Sequence, residues 1–216
     1  MISMKKCKLR LRNNFIKNKG MTLIEMIVSF ALLAIFLASA AAIIGTTTSM
    51  YYEIKRENYA RQVTDIILEK VESEIDGSEY NKEAVGENLR IQNAAGADSG
   101  GSLDTGNAVI LTDKTGTKVK VYADSGELVV YYYDIGDKYS ATNWKFDKSV
   151  YNSFTVEELL FVKGDKIDTF GRASEFGLTN PGTYGKDVVG VFLKVHSPEY
   201  GDYYAYRLVK MYNYTE

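Results

Sequence analysis

Cysteine, histidine and proline are almost absent from this sequence of 216 residues, which contains one, one and two of them respectively. With Cys7 as the only cysteine, the chain cannot close an intrachain disulfide, so a disulfide-stapled scaffold is excluded. A typical zinc site needs several cysteine or histidine ligands, and after Gly20 only His196 remains. There is also no HExxH cluster and no GxxxxGK[ST] phosphate loop. We therefore predict no cofactor, no metal and no enzymatic activity.

Acidic residues are missing from residues 1–20, where seven of the 26 lysines and arginines lie. The 19 basic residues that follow are outnumbered by 28 acidic ones, which argues against a specific nucleic-acid partner. Charge of either sign is then missing from residues 26–52. Residues 26–44 alone would form a helix of about 28 Å, enough to cross the hydrocarbon core of a membrane. The basic segment before this span is expected to stay in the cytoplasm.

Residues 19–25, with the sequence KGMTLIE, join the basic segment to the apolar one. They place one carboxylate, Glu25, at the start of the apolar segment. A carboxylate inside a membrane-spanning helix costs roughly 2.5–3.5 kcal/mol on insertion scales and is by default a sign of function. The pattern resembles the type IV prepilin signal, which type IV pilins share with the pseudopilins of type II secretion and competence systems.

This resemblance implies a leader peptide of residues 1–20 that prepilin peptidase removes after Gly20. The same enzyme would N-methylate Met21, a position more often occupied by phenylalanine in the family. Glu25 matches the glutamate that the family uses for subunit assembly. It would neutralise an α-amino group at Met21, either in its own chain or in a neighbouring subunit. Other pilin subunits and the pilus assembly machinery would be the partners.

A second, amphipathic half is predicted to continue the apolar helix. Apolar residues recur here every four positions, at Tyr59, Val63, Ile67, Val71 and Ile75. We expect one helix over residues 21–76, with residues 21–50 in the membrane or in a filament core. It should continue through the weak helix formers of residues 45–49 and stop at Gly77.

Residues 77–216 are predicted to form a globular α+β head, an antiparallel sheet packed on the amphipathic half of the helix. Residues 77–107 read as a polar connection, 135–153 as less regular and 164–186 as a long loop. The helix or strand state of residues 154–163 is left open. The predicted strands are residues 108–112, 118–123, 128–134, 187–195 and 203–212, with hairpin turns at 113–116, 124–127 and 197–202.

Two other interpretations of the N-terminus compete with this one. In a secretory signal peptide, residues 26–37 would be the apolar core and residues 38–40, Ala-Ser-Ala, the cleavage site. In an uncleaved membrane anchor, no processing would occur. N-terminal sequencing separates the three, because the mature chain would start at Met21, Ala41 or Met1.

Three features of the head have a functional and a structural interpretation. Aspartates near glycine fit calcium binding or ordinary turns: Asp98, Asp104, Asp113, Asp124, Asp134 and Asp137. His196, with Ser197 and Asp202, fits a catalytic triad or a hairpin turn. Tyrosines fit an adhesive surface or cross-strand packing: Tyr131, Tyr132, Tyr133, Tyr203, Tyr204, Tyr206, Tyr212 and Tyr214. We favour the structural interpretation of each and expect Tyr132 to point away from its two neighbours.

The predicted function is therefore that of a pilin-like structural subunit, a single-pass membrane protein with its head outside that becomes part of an extracellular filament. The large head with irregular insertions indicates a minor pilin or pseudopilin. In the family, such filaments serve motility, adhesion, DNA uptake or type II secretion. The alternative is a membrane-anchored or secreted binding protein that does not polymerise.

Overall fold

The computed structural model of the protein describes residues 20–78, 80–81, 89–95, 101–112, 116–134, 140–211 and 214–215. In these residues a long helix, α1 (Leu23–Asp76), precedes the strands. The strands are β1 (Tyr80–Asn81), β2 (Leu89–Gln92), β3 (Thr105–Gly106), β4 (Ala108–Thr112), β5 (Lys118–Asp124), β6 (Glu127–Tyr132), β7 (Thr142–Lys145), β8 (Thr155–Lys163), β9 (Val188–Ser197), β10 (Gly201–Lys210) and β11 (Tyr214–Thr215). The predicted α+β class, a long N-terminal helix with antiparallel sheets, is confirmed.

The chain divides into two compact units, residues 1–51 and 52–216. In the first unit, α1 continues without interruption through Gly45, as predicted. Hydroxyl groups that follow this glycine donate to the carbonyl oxygens four residues earlier, from Thr46 (3.1 Å), Thr48 (2.8 Å) and Ser49 (2.9 Å). These polar side chains are thus satisfied within the helix, which is what an apolar environment requires.

In the second unit, the predicted stripe of α1 forms the centre of the main core. Val63, Ile67, Val71 and Ile75 are fully buried, while Tyr59 packs at the edge of the same cluster. Inward-facing residues of β4, β5, β6, β8 and β9 complete this core. The helix ends at Asp76, and the amide of Gly77 donates to the carbonyl of Ser73 at 3.2 Å.

The strands form two antiparallel sheets, where the sequence predicts one. Their orders are β10-β9-β8-β3 and β2-β4-β5-β6-β7, and a short parallel pair joins β1 to β11. The sequence marks individual strands by alternation but not their partners. The connection between β7 and β8, which moves the chain from one sheet to the other, therefore carries no sequence signal.

Six of the described strands lie where the sequence indicates none or leaves the state open, namely β1, β2, β3, β7, β8 and β11. The connection of residues 77–107 contains β2, which pairs with β4, and the irregular part contains β7, which pairs with β6. Residues 155–163 form β8, an inner strand paired with β9. Residues 159–162 of β8 and 189–193 of β9 are covered on both faces, so these parts of the two strands lack the alternation that identifies a half-exposed strand.

The predicted turn at residues 124–127 is confirmed, since β5 and β6 pair directly across it. Ser125 and Gly126 have φ values of 53° and 81°, and a type I′ turn requires both to be positive. The last hairpin turn is shorter than predicted, because β9 extends to Ser197 and β10 begins at Gly201. The other predicted turn falls largely on residues 113–115, outside the described part.

The sequence predicts a long loop over residues 164–186. In the structure these residues instead pack against the outer face of the four-stranded sheet. They include two short 3₁₀ helices, Gly164–Lys166 and Ala173–Phe176. Beneath them lies a second hydrophobic cluster, made of Val162, Ile167, Ala173, Phe176, Leu178 and Phe192. This cover explains why both faces of β9 are apolar from Val188 to Leu193.

Candidate functional site

Thr22 and Glu25 form a capping box at the start of α1. The backbone amide of Thr22 donates to Glu25 Oε2 at 2.8 Å, and the amide of Glu25 donates to Thr22 Oγ1 at 3.3 Å. The first amides of a helix have no partner within the helix, and a Thr-x-x-Glu sequence satisfies two of them reciprocally. Local sequence therefore fixes where the helix begins and where the carboxylate of Glu25 lies.

Both bonds that hold the Glu25 side chain end on the same oxygen. Thr22 Oγ1 donates to Oε2 at 2.9 Å, in addition to the Thr22 amide. Within the described part of the chain, Oε1 accepts no hydrogen bond. The carboxylate is thus oriented by Thr22 and still offers one oxygen to an external cation.

Gly20 and Met21 precede the helix and are accessible. A Cβ atom built on Gly20 meets no atom within 4 Å, so the described fold does not require glycine at this position. Met21 is 66 % exposed. The structure thus brings Gly20, Met21 and Glu25 together at one end of α1, and the basic residues before Gly20 lie outside the described residues.

The helix that carries this site has an apolar surface in its first unit, where none of residues 20–51 is buried. Large hydrophobic side chains are exposed along this segment, among them Leu23, Phe30, Leu33, Phe36, Leu37 and Ile44. By length and composition α1 is able to cross a membrane, with a mean hydropathy of 2.7 in its most apolar window. An aqueous environment would leave this surface without a partner.

Thr22 is the functional residue that sequence reasoning missed. The signal was present, because a Thr followed three residues later by Glu before an apolar run is a capping-box pattern. The family resemblance assigns Glu25 to subunit assembly alone and says nothing of a role as a helix cap.

The sequence predicts that His196 lies in a hairpin turn. The structure instead places it on β9, directly opposite Asp202 on β10. Its Nδ1 is 2.6 Å from Asp202 Oδ1. That contact and the nearby Lys194 hold the pKa of the Asp202 carboxyl below its usual value. Ser197 follows His196 on the strand, so it points to the opposite face, where it is buried and accepts the amide of Glu199. These three residues do not form a catalytic triad.

The carboxylates around His196 form a salt-bridge network with a lysine. Ligand atoms of Glu157, His196 and Asp202 lie within 4.8 Å of one another. However, Lys194 Nζ is 2.6 Å from Glu157 Oε2 and 3.0 Å from Asp202 Oδ2. The ammonium group thus already supplies the positive charge that a metal ion would bring.

Two of the aspartates considered for calcium make other contacts. Asp104 pairs with Lys163 at 3.2 Å, and Asp124 closes the β5–β6 turn, where it accepts the hydroxyl of Ser125 at 3.2 Å. Asp98, Asp113 and Asp137 lie outside the described residues. In the described part of the chain, Asp104, Asp124 and Asp134 do not converge on a common point.

The described tyrosines alternate as the strand periodicity predicts, whereas Tyr212 and the side chain of Tyr214 lie outside the described part of the chain. Tyr132 donates its hydroxyl to Glu74 of α1 at 2.7 Å, while Tyr131 and Tyr133 contact each other edge to face, with ring centroids 4.8 Å apart. On β10, Tyr204 and Tyr206 are 38 % and 37 % exposed on the outer face. Each also contacts a buried phenylalanine, Phe176 and Phe192 respectively, so both rings contribute to packing.

A family model described as the prokaryotic N-terminal methylation motif matches residues 16–41. The match includes Gly20, Met21 and Glu25 and ends within the apolar half of α1. No curated protein matches the chain. The chain thus carries a type IV prepilin signal, and its α+β architecture is consistent with a pilin-like protein.

Proposed function

We propose that this chain is a pilin-like structural subunit that is stored in the membrane and then assembled into an extracellular filament. Prepilin peptidase cleaves the precursor after Gly20 and methylates the new terminus at Met21. Residues 21–50 span the membrane with the basic leader in the cytoplasm and the head outside. The methylation motif, placed on a helix whose first half has no buried residue, is the observation that carries this proposal.

The two features next to the cleavage point support the assignment. Gly20 is not needed by the described fold, so a peptidase that accepts only a small residue explains its presence. Cleavage creates an amine at Met21, charged at neutral pH with a typical pKa near 7.7–8. Glu25 Oε1 is available to this amine or to that of a neighbouring subunit. In low dielectric, either pairing removes two costly charges at once.

Processing is tested by expressing the full chain with and without prepilin peptidase and measuring the mass of its N-terminal peptide. We expect a methylated start at Met21 only with the enzyme. Gly20→Val should abolish cleavage, whereas Gly45→Val, at another glycine whose Cβ meets no atom, should leave it intact. A start at Ala41 or Met1 would contradict the proposal.

Assembly is tested by following the chain in filaments sheared from cells. Glu25→Leu should be cleaved normally but be missing from the sheared fraction, because the amine of the processed chain then has no counter-charge. Ser29→Leu, one turn further along the same helix, is the matched control and should assemble. If Glu25→Leu assembles like the control, Glu25 has no role in assembly.

We further propose that the chain is a minor subunit or pseudopilin, because of its large head with a second hydrophobic cluster beneath residues 164–186. Quantitative mass spectrometry of sheared filaments should then find it at a small fraction of the most abundant subunit. If the chain remains in the membrane fraction while other subunits are sheared off, a non-polymerising binding protein is the better description.

A further inference from the structure

A cavity of about 230 Å³ opens at the start of the second unit, between α1 and the β9–β10 turn. Glu53 and Arg56 line it from the helix, and three aromatic rings line it from the head, those of Phe154, Tyr200 and Tyr203. Drug-sized ligands use pockets of about 300–1,000 Å³, so this cavity suits a smaller polar group.

The aromatic wall of this cavity is held in place by ring contacts. Tyr200 stacks on Phe154 with centroids 5.9 Å apart and an interplanar angle of 19°. Tyr200 also contacts Tyr59 of α1, with a centroid distance of 6.2 Å and the two rings tilted by 59°. Faces of aromatic rings attract cations, and cages that combine rings with a carboxylate recognise ammonium groups.

Two opposite charges at the cavity have no partner among the described residues. The cavity is also lined by Glu57, which pairs with Arg61 at 2.7 Å, and by Asp202, which is held by His196 and Lys194. Glu53 and Arg56 make no such ion pair and lie three positions apart on one helix face. The cavity therefore offers one carboxylate and one guanidinium to a ligand that carries both signs.

The position of the cavity along the chain indicates where such a ligand comes from. Glu53 is the first charged residue after the uncharged residues 26–52. In a membrane-spanning helix, the first charges beyond the apolar segment lie at the level of the lipid headgroups. This step rests on the proposed membrane residence of α1 and not on filament assembly.

We propose that the cavity binds the headgroup of an ethanolamine phospholipid. Its ammonium group donates to the Glu53 carboxylate against the rings of Tyr200 and Tyr203, and its phosphate accepts from the Arg56 guanidinium. Phosphatidylcholine lacks N–H donors for Glu53, and phosphatidylglycerol has no cation, so both bind less well.

The test is native mass spectrometry of the full chain, released from micelles that contain equal amounts of phosphatidylethanolamine, phosphatidylcholine and phosphatidylglycerol. We expect one phosphatidylethanolamine to be retained per chain about tenfold over each other lipid. Glu53→Gln and Arg56→Gln should each reduce this retention about tenfold. Glu69→Gln, an exposed carboxylate on the same helix, and Lys118→Gln should leave it unchanged.

Equal retention of the three lipids, or variants that behave like their controls, would overturn the proposal. So would dimers in place of lipid adducts, because a lysine of a second copy would then be the cation bound. Sedimentation of the wild-type chain with vesicles of phosphatidylglycerol alone checks membrane residence separately. Its failure would refute the membrane-stored subunit, whereas normal sedimentation without ethanolamine selectivity would refute only the lipid site.

Discussion

At the first turn of α1, the hydrogen bonds between Thr22 and Glu25 satisfy both the helix amides and the Glu25 carboxylate. The helix has amides that need acceptors, and the carboxylate needs donors because its surroundings are apolar. In the described structure, the cap meets both needs within one chain. Glu25 is therefore already oriented by its own chain, and in the assembly that we propose an amine would only have to reach its remaining oxygen.

Replacing Thr22 tests whether this cap orders the start of the helix. Thr22→Val keeps the shape of the side chain but removes its oxygen, so the first turn should lose about 1 kcal/mol of stability. Hydrogen exchange of the full chain in micelles should become faster for residues 22–26. Thr22→Ser should restore slow exchange. Thr47→Val, a matched change in the same helix, should not affect the first turn, and equal rates in Thr22→Val and wild type would refute the cap.

Arg172 and Glu158 form the clearest pH-sensitive contact of the head. Arg172 Nη1 and Nη2 donate to the two oxygens of Glu158 at 2.7 and 2.8 Å. These bonds lower the pKa of the Glu158 carboxyl, although partial burial acts in the opposite direction. A carboxylate with a lowered pKa stabilises the folded state above its ordinary pKa, near 4.5, and this stabilisation is lost as the pH falls through the lowered value.

Glu158→Gln should therefore destabilise the head at pH 7, and its difference from wild type should shrink as the pH falls below about 4.5 and through the lowered pKa of Glu158. The expected loss is about 1 kcal/mol, because both side chains are partly exposed to solvent. Thermal unfolding between pH 7 and pH 3 measures it, with Glu69→Gln as the exposed control without an ion pair. A difference from wild type that stays constant over this range would show that the contact does not titrate.

Strands β8 and β9 are the elements on which both hydrophobic clusters depend. Phe161 on β8 faces α1 in the main core, whereas Phe192 on β9 faces the segment of residues 164–186. The ring of Phe192 has Phe170 at 4.8 Å and Phe176 at 5.4 Å between centroids. One sheet thus holds the helix on one face and a mostly irregular segment on the other.

Truncating each of these two rings should destabilise one hydrophobic cluster more than the other. Phe192→Ala and Phe161→Ala should each cost about 3–5 kcal/mol, the usual range for a buried phenylalanine. Limited proteolysis of Phe192→Ala should cut first within residues 164–186, whereas Phe161→Ala should expose sites throughout the head. Identical cleavage patterns would mean that the two clusters unfold as one cooperative unit.

Sequence patterns identified those elements that have one apolar and one polar side. The stripe of α1 and the β5–β6 hairpin were predicted for this reason. The sequence does not decide between helix and strand for β8, because Leu160 and Val162 are apolar where an exposed face would have polar residues. In the structure both pack under residues 164–186. At the N-terminus, the motif indicates Gly20, Met21 and Glu25, and the Thr-x-x-Glu spacing also indicates Thr22, whose hydrogen bonds the structure then shows. When an irregular segment packs on the outer face of a strand, that face is also apolar, and the sequence then lacks the alternation of apolar and polar residues that identifies a strand.

On the scale of the whole molecule, all buried residues in the described part of the chain lie in the second unit. The buried hydrophobic residues begin at Ala60, and both clusters draw only on residues from Tyr59 onward. The first unit has instead an apolar surface that nothing in the described chain covers. One chain thus combines a head with its own core and a helix that needs a membrane or other subunits.

Deleting residues 1–51 should therefore release a head that folds by itself. The shortened chain, which starts at Tyr52, keeps the residues of both clusters and should be monomeric in buffer without detergent. It should show a single cooperative thermal transition with the Phe192→Ala and Glu158→Gln effects unchanged. The full chain should need detergent or vesicles to stay in solution, because its exposed apolar helix otherwise associates. A shortened chain that unfolds without cooperativity would mean that the head depends on the apolar half of α1, and the division between an autonomous head and an assembling helix would then be wrong.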